Sequence, residues 1–529
     1  MGNLGFMRLV FDAPPTLCFA TEAAEAQKNT IMNSVPPYPL WQNLPPFDTP
    51  PTLCFATEAA EAQKNTIMNS VPPCPLWQNL PPKVGQKYYL SSVMHLVQQI
   101  LFGLLALAAI WLFAKNIMQI RRNIFLGKAQ DYSDNKSARW RNLILLALGQ
   151  KKMFRNPLVA LMHFVIYAGF IIINVEVLEI VLDGILGTHR LFLPFLGGFY
   201  TFVINFFEIL AVGVFAVCVI FLVRRNIIKL KRFISKDLNG WPRSDANYIL
   251  ITEIILMTLF LSMNSIDRAL QLQGAEHYHD TGNFIFSGML APAFSGISGS
   301  TLIIMERSCW WLHIIGIFAF LNYLPYSKHL HIILAFPNAY YARLEPKGKM
   351  ENMESVQNEV KYMMQPELAP AGESAPQKFG AKDVFDLSWR NLLDAYACTE
   401  CGRCTAACPA NITGKLLSPR KIMMDTRDRL EQVGKNINAN GEFKDDGKNL
   451  FNHITVEELR ACTTCNACVE ECPVSISPLE IILELRRSLV MEDSNAPVEW
   501  NGMFGNIENN FAPWKFSPDD RDKWVEEMR

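Results

Sequence analysis

The chain has 529 residues, enough for several domains. Half are hydrophobic, and 49 Lys and Arg nearly balance 50 Asp and Glu, so there is no basic footprint for nucleic acid. Of thirteen cysteines, eight fall in two compact runs, while Cys18, Cys54, Cys74, Cys218 and Cys309 are scattered. That grouping points to metal ligation in a reducing compartment rather than to a disulfide framework.

Residues 11–46 are followed at once by 47–82, the same sequence with two changes, Ala13 to Thr49 and Tyr38 to Cys74. Structural repeats diverge while keeping their core positions, so near-identity argues for a recent duplication. The unit is Pro-rich with little apolar periodicity and is expected to be disordered. It lacks the basic and apolar regions of a signal peptide. Residues 1–93 read as a mis-called start or extension, with Met94 as the alternative start; a tethering or binding repeat is the rival reading.

Five apolar runs reach the roughly 20 residues that a bilayer requires, near 94–114, 157–180, 198–223, 247–265 and 308–327. The loop Lys115–Arg155 carries ten Lys or Arg and Arg224–Asp245 carries seven, against one and two in 181–197 and 266–307. The positive-inside rule places the two basic loops in the cytoplasm, so the chain starts outside and ends inside. The alternative, five buried helices of a soluble protein, makes that alternation a coincidence. Glu176, Glu179, Glu208 and Glu253 lie in or at the ends of spans, where a carboxylate is either interfacial or serves proton or quinone chemistry.

Four histidines stand near span ends: His163, His313, His329 and His331. On one continuous helix His313 and His331 share a face, roughly 27 Å apart, while His329 points away. His163 and His331 both fall at the cytoplasmic end, a pairing suited to bis-imidazole ligation of one b-type haem. The bland reading is a set of polar residues at the interface.

A linker rich in Pro, Ala and Glu (346–380) leads to the runs CTECGRCTAACP, from Cys398, and CTTCNACVEECP, from Cys462. C-x2-C-x2-C-x3-C-P is the ferredoxin pattern for a 4Fe–4S cluster, with the fourth cysteine reaching the other cluster. This assigns Cys398, Cys401, Cys404 and Cys472 to one cluster, and Cys462, Cys465, Cys468 and Cys408 to the other. Zinc is the weaker reading, since C-x2-C pairs also serve it. Ser418-Pro419 and the capping box Thr455–Glu458 predict helices between the runs, and Ser477-Pro478 opens another. The expectation is an all-helical two-cluster domain over 381–490, then an aromatic, polar tail (491–529) that docks a partner or folds back on the cluster domain.

WWLHIIGIFAFLNYLPYSKHLHIILAFPN at 310–338 and ALMHFVIYAGF at 160–170 resemble the respiratory nitrate reductase gamma subunit and the membrane subunit of heterodisulfide reductase. The cysteine region is similar to the heterodisulfide reductase iron–sulfur module, so the chain resembles a fusion of the two, an Fe–S oxidoreductase. The resemblance implies an all-α protein: a five-helix transmembrane haem-b-type bundle, 94–345, joined to a cytoplasmic helical ferredoxin domain. It implies one haem at His163 and His331. An outer haem needs His313 and a second histidine ten residues beyond His163, where Ile173 stands, so His313 is orphaned or serves a quinone. No cysteine follows Cys472, so the Cys-Cys-Gly domains of heterodisulfide reductase catalytic subunits are absent.

The function implied is a subunit of the inner membrane passing electrons between a quinone pool, haem b, two 4Fe–4S clusters and a separate redox subunit, with a Cys-Cys-Gly protein as one candidate. A haem-free membrane-anchored dicluster ferredoxin and a redox-driven proton or ion pump are the alternatives. No Walker motif, nucleophile–base pair or dinucleotide fingerprint indicates a stand-alone catalytic centre.

Overall fold

In the computed structural model, residues 82–370 and 378–529 are described, with side chains from residue 95 onward. The tandem repeat up to residue 81 lies outside the described residues. Helix α1 runs Pro82–Ile124, so helix begins ahead of the boundary expected at 94. A short α2 (Lys136–Asn142) continues into a π-helical turn, Leu143–Leu148. Four further long helices follow: α3 (Pro157–Leu186), α4 (Gly198–Asn226), α5 (Trp241–Leu272) and α6 (Gly299–Tyr323). Asn156 caps α3 from just before Pro157, and Ser298 caps α6.

Among the described residues, five segments, beginning at His95, Pro157, Gly198, Trp241 and Gly299, are long and apolar enough to cross a membrane. Phe102, Ile173, Tyr200, Phe260, Trp310 and Ile314 fill the core between the helices. Large apolar residues such as Leu107, Trp111, Phe202 and Leu312 point outward, each more than half exposed. An outward apolar belt suits lipid, and helices satisfy their own backbone hydrogen bonds there.

After α6 the chain does not continue as one helix. It passes through turns at Leu324–Tyr326 and Lys328–Leu330 before α7 (His331–Tyr340). Pro325 weakens the helix here by removing a backbone donor. Asp245 of α5 then holds the break: it accepts from Tyr323 Oη, from Ser327 Oγ at 2.7 Å and from Lys328 N at 3.1 Å. The single face expected for His313 and His331 is therefore not formed. The expected linker also contains a helix, α8 (Glu354–Met364).

Further helices include α9 (Trp389–Ala397), α10 (Arg403–Ala407), α11 (Pro419–Asn440), α12 (Val456–Arg460), α13 (Ala467–Glu471), α14 (Pro478–Met491) and, in the expected tail, α15 (Val498–Asn510). Among the described residues there is no β-strand; one isolated bridge joins Lys128 to Ser388. That bridge brings two backbones so close that a Cβ on Gly127 would sit 2.7 Å from Leu387 O. The expected caps form: Ser418 accepts from Lys421 N, and Thr455 and Glu458 make a reciprocal capping box.

Candidate metal centre

The two cysteine runs fold alike. In each, the residue before and the residue after the second cysteine have positive φ: Glu400 (54°) and Gly402 (73°), then Thr464 (55°) and Asn466 (61°). Gly and Asn tolerate that conformation best. Each loop then enters a five-residue helix, α10 or α13, and these two helices pack together. Alternating left- and right-handed residues turn successive amides toward a common concavity, which favours an anion. Thr464 N–H donates to Cys462 Sγ at 3.4 Å and Ile476 N–H to Cys472 Sγ at 3.2 Å.

The structure brings the eight cysteines together in two groups. Cys408, from the first run, lines one cavity with Cys462, Cys465 and Cys468. Leu417, Leu479 and Ile482 supply much of its apolar wall. Cys398 and Cys404 lie within electrostatic reach of Cys401 and Cys472. Burial pushes the Cys398 and Cys468 thiols up to about 12 and Cys472 to about 11. Only a strong cation replaces the proton on such thiols at neutral pH. Among the described residues no three His, Cys, Asp or Glu side chains close on one metal ion. Thiols facing a shared cavity, with amides donating to sulfur, fit a multi-iron cluster better than a zinc ion.

The first group abuts the membrane helices. Lys152, in the loop before α3, donates to Cys472 O at 3.1 Å, Val469 O at 3.3 Å and Ser475 Oγ at 3.2 Å. Burial lowers its pKa. Arg403 Nη1 reaches Lys152 O at 3.5 Å. Arg232, from the loop between α4 and α5, packs on Gly402, and burial lowers its pKa. Asn338 of α7 donates to Val474 O at 2.9 Å, and Lys328 ion-pairs with Glu400.

Beside these contacts lie three histidines. His163 Nδ1 is 3.0 Å from Gln150 Oε1, and His331 Nδ1 is 2.9 Å from Lys328 O. Both rings thereby keep Nε2 for another partner, the arrangement seen in metal-bound imidazoles. His329 packs against His331, ring centroids 5.6 Å apart, and its buried Nε2 has no hydrogen-bond partner. Burial and the other two imidazoles hold His329 down at about 3, and burial lowers His331, so both are neutral. A continuous helix would have turned His329 away from this group; the break at Pro325 cancels that phase and is the signal that recovers the residue. His313 stands apart at 2% exposure against Phe260, with Nδ1 unpartnered, and Ile173 is packed in the core.

Two of the four carboxylates hold loops in place. Glu179 accepts from Tyr200 Oη and Phe192 N, both at 2.8 Å, and Glu208 from Phe286 N at 2.9 Å. Glu176 is 3% exposed, and its Oε2 has no partner.

Residues 397–476 match the family described as 4Fe-4S dicluster domain. The chain carries a 4Fe–4S dicluster domain. Over 463 residues it is 26% identical to the probable iron-sulfur-binding oxidoreductase FadF of Bacillus subtilis (strain 168), covering 81% of this chain and 61% of that protein. It is 27% identical over 457 residues to the EtfAB:quinone oxidoreductase of Syntrophomonas wolfei subsp. wolfei, covering 82% and 58%. Over 118 residues it is 35% identical to one of the subunits of the ferredoxin/F(420)H(2)-dependent CoB-CoM heterodisulfide reductase of Methanosarcina acetivorans, covering 22% and 60%. The chain thus spans about three fifths of the length of these relatives. It is related to iron–sulfur oxidoreductases, heterodisulfide reductase subunits among them. No solved structure matches it.

Proposed function

We propose that the protein carries electrons across the membrane surface between a quinone and a separate redox protein, by way of haem b and two 4Fe–4S clusters. The observation that carries this reading is the packing of the Cys398/Cys401/Cys404/Cys472 group directly on the loop that leads into His163, through Lys152 and Arg403. Cys408, Cys462, Cys465 and Cys468 would hold the second cluster in the cavity that they line. The clusters and haem supply one-electron chemistry; the chain supplies spacing, insulation and charge. Gln150 and Lys328 O fix the rings of His163 and His331 so that Nε2 of each is free to ligate haem iron.

The quinone finds support in the name of the Syntrophomonas relative. A soluble partner, a Cys-Cys-Gly subunit being one candidate, fits the extra length of the relatives. The nitrate reductase gamma likeness of 160–170 and 310–338 supports the haem, and the basic loops support a cytoplasmic cluster domain. The test is a reduced-minus-oxidised optical spectrum of the purified protein, with haem, iron and acid-labile sulfide quantified together. A b-type α-band with sulfide for two clusters is expected. Sulfide without a haem band would leave a membrane-anchored ferredoxin; no sulfide would overturn the reading entirely.

A further inference from the structure

Resting on that electron-transfer reading, the charge distribution around the two cysteine groups points to the order in which their clusters are reduced. Three cations surround the membrane-side group from three different segments. Lys152 Nζ sits 3.1 Å from Cys472 O and bonds only neutral oxygens. Arg232 lies against Gly402, its Cβ 3.5 Å from where a Gly402 Cβ would stand, and its charge acts on Cys401; Arg420 comes nearer still to Gly402 but is matched by Asp237. Arg403 occupies the motif itself, between Cys401 and Cys404. Among the described residues none of the three makes an ion pair with a carboxylate, whereas acids around this group are matched elsewhere, Glu471 by Arg155 at 3.0 Å. Glu400 pairs with Lys328 and with Arg427 at 2.9 Å, and Asp394 pairs with Arg390. Among the described residues the lining of the outer cavity holds no Lys or Arg; Arg486 adjoins its loop, the guanidinium donating to Leu459 O at 2.9 Å and to Cys462 O.

A cluster held by four thiolates is an anion, and reduction adds one more negative charge. In a buried site a nearby cation stabilises that added charge strongly. We propose that Lys152, Arg232 and Arg403 form a positive collar that makes the cluster held by Cys398, Cys401, Cys404 and Cys472 the more easily reduced of the pair. The clusters would exchange one electron at a time, with no bond or proton changing place.

The test is a redox titration of the holoprotein followed by electron paramagnetic resonance. Cys472→Ser identifies the signal of the inner cluster. In the wild type the inner cluster is reduced first. Lys152→Gln and, separately, Arg232→Gln each make it harder to reduce by about tenfold, ~59 mV for a one-electron couple, with the outer signal unmoved. Lys152→Arg restores it. The inference fails if the outer cluster is reduced first in the wild type, or if neither neutral variant moves the inner signal. It also fails if both signals shift together. Because the wild-type order is itself decisive, loss of a cluster in one variant leaves the idea refutable. Absence of clusters from the wild type would instead sink the electron-transfer reading beneath it.

Discussion

The ion pair between Asp237 and Arg420 fastens the loop between α4 and α5 to the start of α11, and its removal opens that joint. The Arg420 side chain is 1% exposed and that of Asp237 7%. Arg420 Nη2 lies 2.7 Å from Oδ1, Nε lies 3.0 Å from Oδ2, and Ser418 Oγ adds a bond of 2.9 Å. Burial raises the Asp237 pKa, but hydrogen bonds from Arg420 and Ser235 outweigh it and hold the carboxyl below its ordinary value. Asp237→Ala leaves the guanidinium buried without its counter-charge, with the Arg232 carbonyl at 2.9 Å still accepting from it. Breaking one side of such a pair costs about 3–5 kcal/mol. At about 1.36 kcal/mol per decade, the local opening equilibrium rises by two to nearly four orders of magnitude. Amide hydrogen exchange over the first turns of α11 reads this directly. Asp237→Ala should speed exchange there by at least about a hundredfold, with α14 unchanged. Adding Arg420→Met to Asp237→Ala, which removes the stranded charge at similar volume, should recover most of the loss. Exchange within about threefold of wild type in Asp237→Ala, or a double variant worse than the single, refutes the reasoning.

Cys472→Ser should remove the cluster of the first run and spare that of the second, as read by acid-labile sulfide and low-temperature resonance spectra; loss of the second cluster alone would reverse the crossed assignment. His331→Ala should abolish the b-type α-band while His329→Ala retains it, because only His331 has Nδ1 anchored to a carbonyl; the opposite result transfers the ligand to His329. Burial, with Asp394 adding to it, pushes Glu480 up from 4.5 to about 7. Its folded pKa exceeds its unfolded one, so this contribution to stability is intact below about pH 4.5 and is lost as pH rises through about 7. Glu480→Gln, which can still accept the bond that Asn391 donates at 3.0 Å, should flatten denaturation midpoints across that window, worth on the order of 3 kcal/mol; an unchanged slope would contradict the assignment.

Spans, caps and the cysteine pattern were legible because each depends on neighbours in sequence. Thr455 and Glu458 need only three residues to find each other. The break after α6 was not legible in the same way. Pro325 hinted at it, but Asp245, some eighty residues earlier, completes it. That miss carried His329 with it. The basic loops were read as a topology signal alone; Lys152, Arg155 and Arg232 in them also grip the cluster domain, with Arg155 Nη1 3.0 Å from Glu471 Oε1. No count of charges separates a residue that sets orientation from one that seats a second domain. The expectation that Cys408 joins the second run came from the motif, whereas the apolar wall of its cavity comes from Pro419 of α11 and from Leu479 and Ile482 of α14.

Helix α7 has a mechanical consequence. It starts at His331 and carries Asn338, which accepts from Arg390 at 2.9 Å and donates to Val474 O at 2.9 Å; Arg390 also holds Tyr341 O at 2.8 Å. The imidazole at one end and the cysteine domain at the other are therefore parts of one stiff bracket. A carrier domain that swings between stations is slowed by a viscous solvent. Here the bonds from Asn338 and Arg390 tie the joint, so on the proposed reading electrons pass it at a rate set by distance and potential.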